Sequence, residues 1–282
     1  MILHNMTKKS TLEQTPSAAH SVPSFHFFKA IMAIVKRHFM VWWVQVLPSL
    51  ASNIASPLLY LFALGFGLGA VIESIGDVPY LAFVLPGVVA HSAFFSASFE
   101  CSINSYSRMV RERVYAGILS TPVRLIDILI ADALFASGKA LLSATSVFLV
   151  GFMVGGVQSP MLIFPVLILV FVNCFFFACI ALFMMSFART NEFFSYFFTF
   201  WMTPSLLFCG IFFEVSRFPE WVQYIAWSLP MTHFVHLLRT FMVDELTIAP
   251  LEALCYIGYV ILFGSVCLYF AHQRLQKRLL DK

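Results

Sequence analysis

Long apolar stretches alternate with short polar links along most of the chain. A helix needs about 20 apolar residues to cross the hydrocarbon of a bilayer. Six stretches meet this length, at about residues 46–70, 81–106, 126–154, 160–187, 193–213 and 251–271. The pattern therefore predicts an all-α integral membrane protein, with a six-span transmembrane domain over residues 44–272.

A shorter amphipathic segment, residues 24–43, precedes the first of these stretches. Its apolar residues recur three or four positions apart and its cations lie beside them: Phe25, Phe28, Met32, Val35, Phe39 and Trp42, with Lys29, Lys36 and Arg37. This pattern is typical of a helix that lies in the headgroup layer of a membrane. The alternative is that the segment is the leading end of the first span. Residues 24–70 are too many for one crossing, which favours the interfacial helix.

The segment at about 211–246 is too interrupted to span the membrane twice and too apolar to be a free loop. Pro219 and Pro230 can each start a short helix. Trp221 and Trp227 are of the residue type enriched at membrane–water interfaces. We expect two short re-entrant helices before the last span. The alternative is a loop that lies on the membrane surface.

The composition supports a lipid environment. Hydrophobic residues make up 60% of the chain and charged residues 11%, whereas a soluble domain is about half apolar and about a quarter charged. The net charge of +3 is too small to indicate a nucleic-acid partner. The six cysteines lie in or beside apolar stretches without a CxxC pair, so we predict no metal site and no disulfide.

Lysine and arginine are distributed unevenly between the two predicted sides of the membrane. Of the 17 Lys and Arg residues, all but Lys139, Arg217 and Arg239 fall on one side. This side includes both ends of the chain, and such an excess marks the cytoplasmic face. The sequence therefore predicts cytoplasmic termini, with a disordered tail over residues 1–23 and a basic tail over residues 273–282.

The link after the second span carries much of this charge. Arg108 and Glu112 are four positions apart, a spacing that favours a helix over residues 107–118. Gly117 is placed to end this helix, and Ser120 or Thr121 can cap the next one. A short rigid helix between two spans suits docking onto a cytoplasmic partner. The alternative is that the cations serve membrane orientation alone.

The sequence of this link resembles a known family. RMVRERVYAGILSTPVRLIDILIADAL, residues 108–134, is similar to the loop after the second span of type-2 ABC exporter (ABC-2) permeases. The P-x-W…P pattern of Pro219, Trp221 and Pro230 fits the same family, and the resemblance covers roughly residues 25–275. Within the family, FVLPGVVAHSAFFSASFECSINSYSRMVRERVYAGILSTPV is most similar to the nodulation-factor exporter (NodJ-type) branch.

The resemblance implies that the link, at about residues 107–120, is a coupling helix seated in a groove of a separate ATP-binding subunit. The implied contact residues are Arg108, Arg111, Glu112, Arg113 and Tyr115. It also implies two permeases with two ATPases in the bacterial inner membrane, with ATP and Mg held by the partner. The sequence contains no G-x-x-x-x-G-K-[ST] motif, so we predict that this chain is not an enzyme and binds no cofactor.

Three ionisable residues fall inside predicted spans, where charge is costly. Glu100 lies in the second span, and Asp132 and Lys139 lie seven positions apart on one face of the third. The favoured interpretation is a buried ion pair that fixes the second span against the third. The alternatives are a polar lining for a sugar headgroup, or for sensing the coupling helix, and a proton relay.

These observations predict a permease subunit of an ATP-driven exporter, which acts as a homodimer in contact with membrane lipid. The branch resemblance implies an amphiphilic substrate, such as a lipo-oligosaccharide or a lipid-linked glycan. The alternatives are a hydrophobic drug as substrate, an integral-membrane transferase, and an ion-coupled transporter. We predict no catalytic residue, because the external acids and histidines match no nucleophile–base pattern.

Overall fold

The computed structural model describes residues 24–156, 163–243 and 250–279, and the predicted tail 1–23 lies outside them. Most of the described chain is helical, and short turns and the two-residue strands β1 (Ser74–Ile75) and β2 (Val78–Pro79) make up the rest. The helices are α1 (Ser24–Trp43), α2 (Val46–Phe62), α3 (Tyr80–Phe99), α4 (Ser105–Val110), α5 (Val114–Leu119), α6 (Leu125–Met153), α7 (Ile163–Phe187), α8 (Glu192–Phe197), α9 (Thr203–Phe208), α10 (Glu220–Ser228), α11 (Pro230–Met242) and α12 (Pro250–Leu279).

Within the described residues, three helices are long and apolar enough to cross a membrane. They are Tyr80–Val110, Ile163–Phe187 and Leu254–Leu279, which correspond to the second, fourth and sixth predicted spans. Helices α2 and α6, and α8 with α9, occupy the other three predicted stretches, where membrane crossing stays a prediction. The last helix runs to Leu279, so residues 273–279 of the predicted basic tail are helical.

Helix α3 lies at the centre of the bundle, against α2, α6, α7 and α11. Helix α3 is the first part of the span Tyr80–Val110, and 89% of the most apolar segment of this span is buried. The corresponding value for the span in α12 is 22%. A helix that is apolar all round is expected where it is enclosed all round. The outer position of α12 leaves large apolar side chains exposed, among them Leu254, Leu262 and Phe270, as suits a surface that faces lipid.

Small residues allow the central helices to approach closely. Ser92 of α3 and Ser143 of α6 are buried, with their Oγ atoms 3.1 Å apart. At Gly87 of α3, an added Cβ would lie 2.8 Å from Ile211 Cγ2. Small residues and hydroxyl pairs are typical of packing between membrane helices, where bringing apolar surfaces together supplies little driving force.

A helix-breaking turn shortens the fifth predicted stretch, 193–213. Helices α8 and α9 are joined by a π-helical turn, Phe198–Met202, and the run ends at Phe208. Gly210 then takes a φ of +76°, in the left-handed region that glycine adopts without steric cost. The prediction of helix up to residue 213 is therefore wrong at its end.

The link after α3 is two short helices rather than one. The span continues through a π-helical turn, Glu100–Asn104, into α4. Arg113 then takes a φ of +53°, in the left-handed region that breaks a right-handed helix, and α5 follows. The predicted continuous helix over 107–118 is therefore wrong, and Gly117 lies inside α5 instead of ending it.

The start of α6 also differs from the prediction. Its capping pair is Arg124 and Asp127, because the Asp127 carboxylate accepts a hydrogen bond from the Arg124 backbone N–H at 3.1 Å. Thr121 instead donates its hydroxyl to the Ile118 carbonyl, so it does not cap α6. The Arg124 guanidinium lies 5.3 Å from the centre of the Phe27 ring, which joins the start of α6 to α1.

Helix α1 presents two apolar faces. Ile31 and Ile34 are buried against the bundle, where α1 packs along α6. Phe28, Met32 and Phe39 are exposed. The helix ends at Trp43 and α2 begins at Val46, so α1 is not a continuous extension of the next helix. An exposed apolar face on a separate helix is what an interfacial position requires.

The segment before α12 forms the two short helices that the prolines predicted. Helix α10 begins directly after Pro219, and α11 begins at Pro230. Trp221 on α10 is exposed and Trp227 is partly exposed, whereas α11 packs against α3 and α7. Entry of these helices into a membrane stays a prediction, and residues 244–246 lie outside the described chain.

Two hydrogen bonds bring basic segments of the chain together at one end of the bundle. Tyr106 of α4 donates to the Arg189 carbonyl at 2.6 Å. Arg278 of α12 donates to the Ala188 carbonyl at 2.7 Å. The link after α3, the turn between α7 and α8 and the last turn of α12 therefore lie on the same end, as the charge distribution requires.

Candidate functional site

Glu100 is the first centre of a buried charge cluster. One carboxylate oxygen lies 2.6 Å from Arg108 Nη1, and the other lies 2.9 Å from Lys139 Nζ. Asn104 donates to the second oxygen at 2.7 Å. The predicted ion pair between the second and third apolar stretches is therefore present, between Glu100 and Lys139.

Asp132 is the second centre. Its Oδ2 accepts hydrogen bonds from Ser105 at 2.7 Å, from Tyr115 at 2.6 Å and from Arg108 at 3.3 Å. Its Oδ1 lies 2.7 Å from His38 Nε2, an ion-pair distance without the alignment of a good hydrogen bond. Arg108 contacts both carboxylates, so it joins the two centres into one cluster.

The local structure explains how four helices supply this cluster. The π-helical turn Glu100–Asn104 stands between α3 and α4, and Glu100, Ser105 and Arg108 all meet α6. His38 follows Ile31 and Ile34 at helical spacing, so it shares the face of α1 that packs on α6. Tyr115 is fully buried because the turn at Arg113 directs α5 back toward the bundle.

The cluster is nearly shielded from solvent. The side chains of His38, Glu100, Asp132 and Lys139 are between 0% and 10% exposed, and that of Arg108 is 11% exposed. Removing two charges from water is costly, and only mutual pairing with further hydrogen bonds offsets the cost. Burial and the adjacent Asp132 carboxylate raise the pKa of Tyr115 well above its usual value, so the hydroxyl remains a proton donor.

The residues predicted to contact an ATPase separate into two groups. Arg111, Glu112 and Arg113 are exposed at the turn between α4 and α5. Arg108 and Tyr115 point into the cluster, and the predicted pair of Arg108 with Glu112 is wrong because the two carboxylates of the cluster hold Arg108 instead. Glu112 accepts a hydrogen bond from Ser107 at 3.3 Å.

An open cavity of about 510 Å³ lies beside the cluster, between α1, α2, α4 and α6. Glu100, Arg108 and Lys139 form its charged wall. Trp42 and Gln45, at the junction of α1 and α2, also line the cavity. Polar, charged and aromatic side chains thus share one concave surface, and concave surfaces are where small ligands bind.

A second group of polar residues lies at the segment before α12. Arg239 of α11, predicted to lie in an external loop, is 7% exposed. Its guanidinium donates to the carbonyls of Gly210 at 2.7 Å and Phe83 at 3.3 Å and stacks 3.8 Å from the Phe83 ring centre. Trp227 contacts His233, with 5.6 Å between ring centres. A cavity of about 200 Å³ opens here.

Sequence reasoning missed several members of these sites. The burial of His38 could have been predicted, because it continues the helical spacing of Ile31 and Ile34. These three residues lie on a different face of α1 from the apolar residues used to predict an interfacial helix. No sequence pattern indicated the contacts of Asn104 and Ser105, because these contacts depend on the π-helical turn. Among the described residues, no group of three or more His, Cys, Asp or Glu is placed to hold a metal ion.

A bundle of apolar helices with a central buried span defines an integral membrane protein. The family model described as ABC-2 type transporter matches residues 29–243. This match covers most of the chain, and the chain therefore belongs to the ABC-2 type transporter family. Membership implies an ATP-binding partner subunit.

Several curated relatives share the name Nodulation protein J. The protein from Sinorhizobium fredii is 33% identical over 253 residues, which are 89% of this chain and 94% of that protein. The protein from Bradyrhizobium diazoefficiens is 32% identical, over 84% of this chain and 91% of that protein. The protein from Rhizobium meliloti is 29% identical, over 88% and 94%. The resemblance to the NodJ-type branch is thus confirmed, and the chain is the membrane permease subunit of an ABC exporter.

Proposed function

We propose that the chain moves an amphiphilic substrate, a lipo-oligosaccharide or lipid-linked glycan, across the bacterial inner membrane. In this proposal two copies act with two separate ATP-binding subunits, and ATP and Mg act in those subunits. The similarity to proteins named Nodulation protein J supports this substrate class over a hydrophobic drug. The mixture of polar and aromatic surface in the 510 Å³ cavity also suits a substrate with a polar head.

The turn between α4 and α5 is the proposed contact with the ATP-binding subunit. Arg111, Glu112 and Arg113 are exposed there and carry both signs of charge. Exposed charges of this kind suit recognition of a complementary charged groove. Both ends of the chain are proposed to lie on the same, cytoplasmic side. The end of α12 meets the turn between α7 and α8, to which α4 is also bonded. The start of α1 meets Arg124, in the link that follows α4.

One observation carries the proposed coupling: α5 is fastened to the bundle through the charge cluster. Tyr115 of α5 donates to Asp132 of α6 at 2.6 Å, and Arg108 of α4 contacts the same carboxylate. A force applied to the exposed turn is therefore delivered to α6 through buried hydrogen bonds. Arg108 and Tyr115 transmit this force in the proposal, and they do not touch the ATPase themselves.

The test is replacement of Arg111, Glu112 and Arg113 together by alanine. We expect the variant permease to fold and reach the membrane, because these side chains are exposed and outside the cluster. We expect at least a tenfold loss of substrate-stimulated ATP hydrolysis and of the ATPase subunit recovered by co-purification. A tenfold loss corresponds to about 1.4 kcal/mol of interaction, which a few charged contacts supply.

The matched control is alanine at Glu214 and Arg217. These two residues are also exposed and oppositely charged, with 3.8 Å between the paired atoms, but they lie in the segment before α12. We expect ATPase recovery and ATP hydrolysis to remain at the level of the unmodified protein in this variant. Equal behaviour of the triple variant and the control would reject the proposed contact.

A further inference from the structure

The cavity beside the charge cluster has a neutralised wall. Lys139 is held by Glu100 at 2.9 Å, and Arg108 is divided between Glu100 and Asp132. The buried cations therefore already have carboxylate partners, and the two exposed charges at the rim, Arg37 and Glu112, are of opposite sign. Such a surface offers little net attraction to a phosphate group, whereas it can hydrogen-bond to uncharged polar groups.

The remaining lining supplies the groups that recognise a sugar. Gln45, Asn104 and Ser107 line the cavity with side chains that can both donate and accept hydrogen bonds. Trp42 lines the same cavity, and its indole N–H donates to Ser49 at 2.9 Å. This bond fixes the ring across the break between α1 and α2. A fixed aromatic face beside amide and hydroxyl groups suits the apolar face and the hydroxyls of a sugar ring.

The position of the cavity favours a sugar that is attached to an apolar chain. Trp42 of α1 lines the cavity, and it shares a helix face with Phe28, Met32 and Phe39, which are exposed. An exposed apolar helix face beside a polar cavity lets an acyl chain remain in lipid while its head enters the protein. The volume of about 510 Å³ lies within the range of about 300–1,000 Å³ typical of ligand pockets.

We propose that this cavity within a single protomer, between α1, α2, α4 and α6, binds the uncharged sugar headgroup of an amphiphile. The proposal rests on the proposed function, since it places the head of the exported substrate before transport. Trp42 positions the sugar ring, and Gln45 and Asn104 hydrogen-bond to its hydroxyls. The ion-paired wall gives the site polarity without selecting for phosphate.

The test measures equilibrium binding to the full chain in phosphatidylcholine nanodiscs, corrected with empty nanodiscs. The probes are octyl β-maltoside, octyl phosphate and free maltose. We expect octyl maltoside to bind at least tenfold more tightly than either of the others. Trp42→Ala and Gln45→Ala should each weaken octyl maltoside binding, the former about tenfold, because a ring contact and its supporting hydrogen bond are lost.

Trp43→Ala is the matched control, because Trp43 is the neighbouring residue and is exposed without lining the cavity. We expect it to bind octyl maltoside as the unmodified chain does. Trp42→Phe keeps an aromatic face and should bind within about threefold of the unmodified chain. This second variant keeps the test informative if Trp42→Ala does not fold.

Three outcomes would overturn the assignment. Equal binding by Trp42→Ala, Gln45→Ala and the unmodified chain would place the sugar elsewhere. Preference for octyl phosphate would identify an anion site, and equal binding of free maltose would identify a site for soluble sugars. Failure of the proposed ATPase contact is detected separately, by recovery of the ATP-binding subunit with the variant at Arg111, Glu112 and Arg113, because this recovery does not depend on sugar binding.

Discussion

At the residue scale, Asp132 is the most connected charge in the described chain. One of its oxygens accepts hydrogen bonds from Ser105, Tyr115 and Arg108, and the other lies 2.7 Å from His38 Nε2. These partners lie on α1, α4 and α5, so this one carboxylate of α6 holds four helices together. The cost of burying it is offset only while all the partners are present.

Asp132→Asn tests this role with little change of shape. The amide removes the charge that balances Arg108 and leaves a buried cation with one carboxylate instead of two. We expect the free energy of unfolding to fall by about 3–5 kcal/mol, as found for broken buried ion pairs. Unfolding in mixed micelles with increasing dodecyl sulfate, followed by circular dichroism, measures the change.

Asp127→Asn is the control on the same helix. Its carboxylate caps the start of α6 and pairs with Arg124, so its loss should cost about 1 kcal/mol. A larger effect at Asp127 than at Asp132 would show that the cluster does not hold the four helices together.

At the element scale, the close approach of α3 to its neighbours depends on single glycines. A Cβ at Gly87 would lie 2.8 Å from Ile211 Cγ2 and 3.0 Å from Ile211 Cα. Because the Cα belongs to the backbone, the neighbour cannot yield by changing a rotamer. Ile211 is itself fully buried.

Gly87→Ala should therefore destabilise the bundle by about 1–3 kcal/mol, the usual cost of overpacking a core. The control is Gly138→Ala in α6, where no atom outside the helix backbone lies within 4 Å of the added Cβ. That change should be neutral or stabilising by up to about 1 kcal/mol, because alanine favours helix. The same dodecyl sulfate titration compares the two, and equal effects would contradict the close packing of α3.

At the scale of the whole molecule, the described ends of α4 and α12 and the turn between α7 and α8 share one basic end. By the positive-inside rule, we propose that this end lies in the cytoplasm and that the exposed segment before α12 lies on the opposite side. Exposed serines at both ends allow this placement to be measured.

The variants Ser120→Cys and Ser216→Cys each place a thiol at an exposed position, where a membrane-impermeant thiol reagent can label it. The background is Cys255→Ser, which removes the exposed native thiol and leaves the buried ones. In intact bacterial spheroplasts we expect labelling at residue 216 and none at residue 120, with labelling at both after lysis. Labelling of residue 120 in intact spheroplasts would reverse the orientation and exclude the proposed ATPase contact.

The apolar pattern was enough to place most helices. Starts at Val46, Leu125 and Pro230 agree closely with the predicted stretches, because long apolar runs and proline positions act locally. The pattern erred at the link, where a continuous helix over 107–118 was predicted. The left-handed conformation of Arg113 has no local signal, since arginine does not favour it.

The candidate site was predicted only in part. The spacing of Asp132 and Lys139 predicted that both lie on one face of the third span. Because charge is costly inside a membrane, these two residues and Glu100 were predicted to pair with one another. The destination of Arg108 was missed, because the charge on its own link suggested Glu112 as a partner. Two buried carboxylates outcompete one exposed carboxylate, since attraction between charges strengthens where water is excluded.

The class of protein, its helices and the imbalance of its charges can all be read from the amino-acid sequence, because they follow from composition and from local periodicity. The folded chain was needed to see that Arg108 and Tyr115 turn inward, that His38 completes the cluster, and that a polar cavity opens beside Trp42. These features depend on contacts between residues far apart in the chain. Such contacts are chosen by packing and by pairing of buried charge, and no short window of sequence contains both partners.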